Sequence, residues 1–276
     1  MNRLSLKTRC QIVSAMVEGC GVNSITRLTG VAKNTVLKLL LDVGTAAYRF
    51  HDRNVRNVRV RRLQADEIWS FIGAKKKNVS PEKEAEGWGD IWTWVAIDAD
   101  TKLIVSYYVG DRGKYSVYNF MRDAAERIVG RPQLTTDAHR PYLQAVEDCF
   151  GVDVDYAMLQ KLFGASSEPE HRYSPATCIG CDMKTVMGDP DPKHVSTSFV
   201  ERQNLTMRMS MRRFTRLTNA HSKKLENHCC AVSMFYAYYN FCRVHQTLRV
   251  TPAMEAKLTD HVWSLEELLL ALENSN

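Results

Sequence analysis

The chain has 276 residues, 45% hydrophobic and 25% charged, with 37 Lys and Arg against 31 Asp and Glu for a formal net charge of +6. That is the composition of a globular protein with room for one large domain, or a small one plus a medium one, and it argues against long disorder. No apolar run approaches the ~20 residues that span a bilayer, and MNRLSLKTRC has no apolar signal core behind it, so a membrane role is excluded and a cytosolic chain is expected.

Residues 5–44 read as a run of short helices. Leu6, Ile12, Val13, Met16 and Val17 recur at roughly helical spacing, and Gly19 and Gly21 end that helix. Asn23 can cap a second helix, SITRLT, and Gly30 makes a tight turn. KNTVLKLLLDV is expected to close on Gly44 as its C-cap. Ile25, Gly30, Val36 and Leu39 fall where a helix-turn-helix needs apolar residues and its turn glycine. Lys33, Asn34, Thr35 and Lys38 would then face outward toward bases or phosphates. The alternative is a plain helical hairpin used for dimerisation.

Residues 45–62 read as a basic linker. Arg49, Arg53, Arg56, Arg59, Arg61 and Arg62 crowd it against a single acid, Asp52, and a second cluster holds Arg202, Arg208, Arg212, Arg213 and Arg216. Clustered Arg is the footprint of a phosphate-backbone partner, with a merely solvated basic face as the alternative.

LQADEIWSFIG (63–73) follows as a strand, and KKKNVSPEKEAEGWGD as a loop. IWTWVAID (91–98) and KLIVSYYVG (102–110) form a hairpin around Asp98 and Asp100, good turn formers. SVYNFMRDAAERIV (116–129) is helical, QLTTD (133–137) a short strand, PYLQAVEDCF (141–150) a helix opened by Pro, and VDVDYAML (152–159) a strand. Residues 160–195 read as an inserted loop, followed by helices over about 197–217 and 221–246 and a last one behind a Ser264 cap. The order predicts an α/β protein: a helical head (1–44), the linker (45–62), and a domain over 63–276 whose mixed sheet is covered by helices on both faces.

Two acids stand out in that domain. Asp66 sits in an otherwise apolar strand and Asp137 at the end of another, places where an acid is costly without a partner. Carboxylates on neighbouring strands can share a divalent cation. Glu201, opening a helix directly after the insertion, is the candidate third acid; two cations held by such a set can activate a water or a 3′-hydroxyl and stabilise a phosphodiester's leaving oxygen. Glu201, Asn204 or Leu205, and Arg208 lie along one helix face, with Arg212 one turn on, so Arg208 stands beside the metal site. Glu67 is set aside, since alternation puts it on the opposite sheet face.

The eight cysteines are scattered and expected to be reduced. Cys178 and Cys181 form a lone CxxC that, with His171 or His194, could make a zinc knuckle. His139 and His194 are candidates to approach the acids. Phe235, Tyr236, Tyr238 and Tyr239, like Trp88, Trp92 and Trp94, suit a core better than a base-stacking platform.

The stretches QADEIWSF, WTWVAIDADTKLIVSYYVG, QLTTDAHRPY, DPKHVSTSFVERQNLTMRMSMRRFTRLTNAHSKK and YYNFCRVHQTLRVTPAM make the chain resemble bacterial insertion-sequence transposases of the Asp-Asp-Glu type, most of all the family of insertion sequence one. Tyr239, Asn240, Arg243, His245, Thr251, Pro252 and Ala253 carry a pattern common to the wider group of transposases and integrases. The resemblance implies an RNase H-like fold and DNA transposition, with Asp66, Asp137 and Glu201 as metal ligands and Arg208 as the basic residue after the glutamate. It implies Mg²⁺ (two ions, with Mn²⁺ able to substitute), and double-stranded DNA as partner, both the element's terminal inverted repeats and the target. It also implies homo-oligomers on DNA and a nucleoid-associated bacterial location. Some members carry a cysteine-rich zinc-binding segment ahead of the helix-turn-helix, and this sequence starts directly at the helix-turn-helix. A DNA-binding regulator that has lost catalysis and a nuclease that only hydrolyses are the competing readings.

Overall fold

The computed structural model describes residues 4–164, 178–215 and 218–274. The head has three helices, α1 (Leu6–Val17), α2 (Val22–Thr29) and α3 (Lys33–Asn54). Ser5 caps α1 by accepting a hydrogen bond from the Thr8 N–H. Gly21, rather than Asn23, occupies the cap position of α2. Gly30 ends α2 at φ 71°, a left-handed conformation that glycine adopts without strain. Ile12, Val13, Val17, Ile25, Val36, Leu39 and Leu40 fill the space between these helices.

Gly44 is not a helix terminus. α3 runs through it for 22 residues, about 33 Å, and residues 45–54, expected to belong to a linker, are its second half. Ala46, Ala47, Phe50 and His51 are buried there, so the stretch has a core-facing stripe that its arginines obscure in the sequence. Gly44 packs closely against a later helix, α8 (Leu225–Phe241): a Cβ on it would lie 2.4 Å from Cys230 atoms. α3 is thereby embedded in the body of the protein rather than tethered to it.

After α3 come β1 (Val58–Arg59), β2 (Arg62–Ile72), a short α4 (Pro81–Ala85), β3 (Gly89–Asp98), β4 (Ile104–Gly110), α5 (Lys114–Arg127), β5 (Ile128–Val129), β6 (Gln133–Thr136), α6 (Pro141–Phe150), β7 (Asp155–Phe163) and β8 (Cys178–Met187). α7 (Ser198–Ser210), then α8, α9 (Pro252–Glu255) and α10 (Leu265–Glu273) complete the chain, α10 behind the expected Ser264 cap. α7 stops at Ser210 and gives way to a 3-10 turn, Arg212–Phe214, where one helix was expected to run on.

The main sheet has the order β4-β3-β2-β6-β7-β8. β4, β3 and β2 are antiparallel, β2, β6 and β7 parallel, and β7 and β8 antiparallel. β1 and β5 form a separate parallel pair. The expected insertion therefore contains structure: residues 160–163 extend β7 and β8 pairs back along it. α5 and α6 pack on one face, where Trp94 meets Phe120 and Tyr142. α7 and α8 cover the other, Gln64 on β2 accepting hydrogen bonds from the Phe199 and Val200 N–H groups, and Tyr107 on β4 packing on Tyr236.

Two polar devices lock the periphery. Arg127 donates to Asp123, to Asp52 and to the Val55 carbonyl, joining α5 to the end of α3. Asn240 on α8 pairs with both backbone groups of Ile104 on the edge strand β4, its Oδ1 accepting from the N–H and its Nδ2 donating to the carbonyl, each at 3.0 Å. No helix among the described residues is long and apolar enough to cross a membrane.

Candidate metal centre

β6 pairs with β2 only from Arg62 to Ala65, and the chain leaves the sheet at Asp137. The strand order reverses at this point: β2 leads to β3 on one side, while β6 arrives on the other. A crevice at the carboxyl ends of parallel strands opens at such a switch point. Asp66 is the next β2 residue beyond the pairing, so its side chain and that of Asp137 meet across the gap.

Carboxylate oxygens of Asp66, Glu67 and Asp137 lie within 4.8 Å of one another, an arrangement that could hold a metal ion. Glu67, set aside on the sequence, is thus part of the cluster. Alternation holds for its backbone, because Glu67 stands opposite Trp94 on the α5–α6 face. What alternation misses is that β6 stops pairing at Ala65 and β2 has no strand partner on this side until the isolated bridge of Ile72 to Ser222, so a longer carboxylate can come round the open strand edge.

Electrostatics mark the cluster as short of positive charge. Burial raises the Asp66 carboxyl to about 6, helped by the charges of Asp137 and Glu201 and opposed by a hydrogen bond from Asn204. Burial likewise raises Glu67 to about 7, helped by Asp137 and Asp66 and opposed by Arg112, which donates to its Oε1 at 2.7 Å. Asn204 on α7 donates to Asp66 Oδ2 at 2.9 Å, which fixes that carboxylate's rotamer. Glu67 Oε2, Asn204 Oδ1, His139 Nε2 and the Tyr142 hydroxyl are buried without a hydrogen-bond partner. Buried polar atoms are almost always satisfied, so unpartnered ones around three crowded carboxylates fit a hard cation with oxygen ligands.

Glu201 sits in the first turn of α7, as expected, and its charge reaches Asp66, but it is not one of the three clustered acids. Its carboxylate is held by Lys161 at the far end of β7 and by the Thr197 hydroxyl at 2.7 Å. The Lys161 contact is not legible in the sequence, because residue 161 falls in the stretch read as a loop. Arg208 lies in the last turn of α7, about 10 Å along the axis from Glu201, and Arg212 is exposed on the following 3-10 turn.

The other expected contacts divide. Lys33, Asn34 and Thr35 are exposed at the start of α3, and Lys38 pairs with Asp42 at 2.6 Å. Arg59 is exposed on β1, whereas Arg61 and Arg62 both engage Asp100. Asp98 accepts from the Asp100 N–H and the Thr101 hydroxyl, the turn role expected for it. His139 takes the turn alternative: its N–H donates to Asp137 Oδ1 at 3.0 Å and its ring lies by Trp94. His194 pairs with Asp191. All eight cysteines are free thiols; Cys178 and Cys181 are exposed on β8, and His171 lies outside the described residues. The pattern around Asn240 and Thr251 is architectural, Thr251 capping α9 through the Met254 N–H. Phe235, Tyr236 and Tyr239 are core, as expected.

No family model and no curated protein matches the chain. A solved piggyBac transposase synaptic complex with hairpin DNA is similar at 12% sequence identity and a TM-score of 0.40, covering 97% of this chain and 69% of that one.

Proposed function

We propose that the chain is a DNA transposase of the Asp-Asp-Glu type, which binds the terminal inverted repeats of its element, cuts DNA and transfers the freed 3′-hydroxyl to a target. The observation that carries this reading is the convergence of the half-buried carboxylates of Asp66, Glu67 and Asp137, the first two with raised proton affinity, and of unpartnered polar neighbours where β6 ends beside β2. The mixed sheet flanked by helices supports the RNase H-like assignment that the sequence resemblance implies. Asp66 and Asp137 would hold the divalent cations, with Glu201 completing the set from α7. Two Mg²⁺ ions, or Mn²⁺ in their place, would supply the Lewis acidity that activates the attacking oxygen and stabilises the leaving one.

Each protein group then has a defined task. Asn204 fixes the Asp66 carboxylate, and Arg112 keeps one Glu67 oxygen engaged. Arg208, farther along α7, contacts a DNA phosphate. The α2–Gly30–α3 unit acts as the helix-turn-helix, with Lys33, Asn34 and Thr35 at the start of the recognition helix. Arg59, Arg61 and Arg212 contact backbone phosphates. Pairing two element ends calls for more than one copy of the chain.

The test is a cleavage and strand-transfer assay on duplexes carrying the repeats that flank the gene, in Mg²⁺ or Mn²⁺. Wild type should cut at the repeat end and join it to target, while Glu201→Gln should bind and do neither. Equal cutting by both would remove Glu201 from the set. Binding without cutting by wild type would favour the regulator reading.

A further inference from the structure

A second feature lies at the far end of α7 from the acids. The head and the body enclose an open cleft of about 1320 Å³, above the roughly 300–1,000 Å³ of small-molecule pockets. Lys33, Lys75, Arg212, Arg213, Lys223 and Lys224 line it, and no described Asp or Glu does. Lys33 is the first residue of α3, Lys75 follows β2, Arg212 and Arg213 follow α7, and Lys223 and Lys224 precede α8. Four separate segments thus bring cations to one wall-lined space, which a merely solvated basic face does not require.

Arg213 shows that this charge is not balanced internally. Its Nη1 donates to the Ser222 hydroxyl at 2.8 Å and the Asn227 carbonyl at 2.9 Å, both neutral. Burial pushes its guanidinium down to about 10, and no acid is among the groups that act on it. Next to it, burial and the Arg213 charge hold His228 neutral, at about 3. A guanidinium kept in place at this expense, without a counter-ion among the described residues, suits an anion supplied from outside.

We infer that this cleft is a binding groove for the sugar-phosphate backbone of duplex DNA, gripped between the head and the body. The inference rests on the DNA-processing reading for the identity of the polyanion and adds where the duplex runs. α7 spans about 14 Å between Glu201 and its cleft end at Ser210, the rise of about four base pairs. One duplex seated against Lys33 and Arg212 therefore reaches the carboxylates without leaving the surface, which makes the α3–α8 contact at Gly44 a fixed ruler between recognition and chemistry.

The experiment is fluorescence anisotropy with a labelled duplex of about 25 base pairs and mixed sequence, titrated across a salt series with the full chain. Lys223→Gln/Lys224→Gln should reduce the slope of log affinity against log salt by about 1.8, since each phosphate contact contributes about 0.9. Arg122→Gln/Lys257→Gln, which removes two cations away from the cleft, should leave the slope at the wild-type value. If the first pair fails to fold, as judged by circular dichroism, Lys75→Gln removes one cation from another segment lining the cleft and should reduce the slope by about 0.9. Equal slopes for cleft and control variants, with wild type still binding, would overturn the groove and leave the DNA reading standing. No salt-dependent binding by wild type would overturn both.

Discussion

The Lys161 ammonium contacts both carboxylate oxygens of Glu201, so the one candidate ligand outside the acid cluster already carries a cation of its own. Both side chains are partly exposed, 30% and 42%, and a pair in that setting contributes less than about 1 kcal/mol to folding. Its larger effect is on competition. Lys161→Met should leave urea stability within about 1 kcal/mol of wild type and lower by about fivefold the Mn²⁺ concentration that gives half-maximal thermal stabilisation. An unchanged or higher requirement would mean that Lys161 does not compete for Glu201.

Glu67 gives the cluster a pH signature. Its folded value, about 7, lies above the ordinary 4.5, so the folded protein binds this proton more tightly than the unfolded chain does. The resulting stabilisation is complete below about pH 4.5 and is lost as pH rises through 7. In chelator, wild-type stability measured relative to Glu67→Gln should therefore fall by on the order of 2 kcal/mol between pH 5 and pH 8. Urea melts at the two pH values read this directly, and parallel curves would show that Glu67 is not in a carboxylate-crowded site.

Gly44→Ala tests the seam between head and body. Alanine favours a helix by about 1 kcal/mol over glycine, but its Cβ would strike Cys230, backbone atoms included, at 2.4–2.5 Å. The clash should win, destabilising the protein by about 1–3 kcal/mol in urea denaturation. A more stable variant would contradict the close packing of α3 on α8.

Asn240→Ala removes the amide that satisfies both backbone groups of Ile104. Each buried group left unpaired costs about 1–3 kcal/mol, so the variant should lose at least about 2 kcal/mol and exchange its β4 amides faster. A loss below about 0.5 kcal/mol would place those groups in contact with water.

Much of this architecture is legible in the sequence because it depends on local pattern. The apolar β-rich runs 91–98 and 102–110, the Pro that opens α6 and the Ser264 cap all lead to the observed elements. Gly44 and the arginines that follow mislead for one reason: a glycine required by a distant helix looks the same as a glycine that ends a local one. Lys161 and β8 were hidden because β7 runs on through the polar Gln160 and Lys161, and the largely exposed β8 mixes apolar with polar residues in no clear period. Asp66 and Asp137 stand out as acids in apolar strands, but Glu67 joins them only because β6 stops after Thr136, and where a neighbouring strand stops is a tertiary fact.

In the proposed transposase these carboxylates touch the catalytic cations, and Asp137→Cys probes that contact in the cleavage assay, comparing Mg²⁺ with Mn²⁺. A thiolate ligand discriminates against Mg²⁺ far more than against the softer Mn²⁺. The variant should be inactive in Mg²⁺ and regain cleavage in Mn²⁺, while wild type works in both. Cleavage by the variant that is equal in the two metals, or wild-type cleavage that survives full chelation, would contradict it.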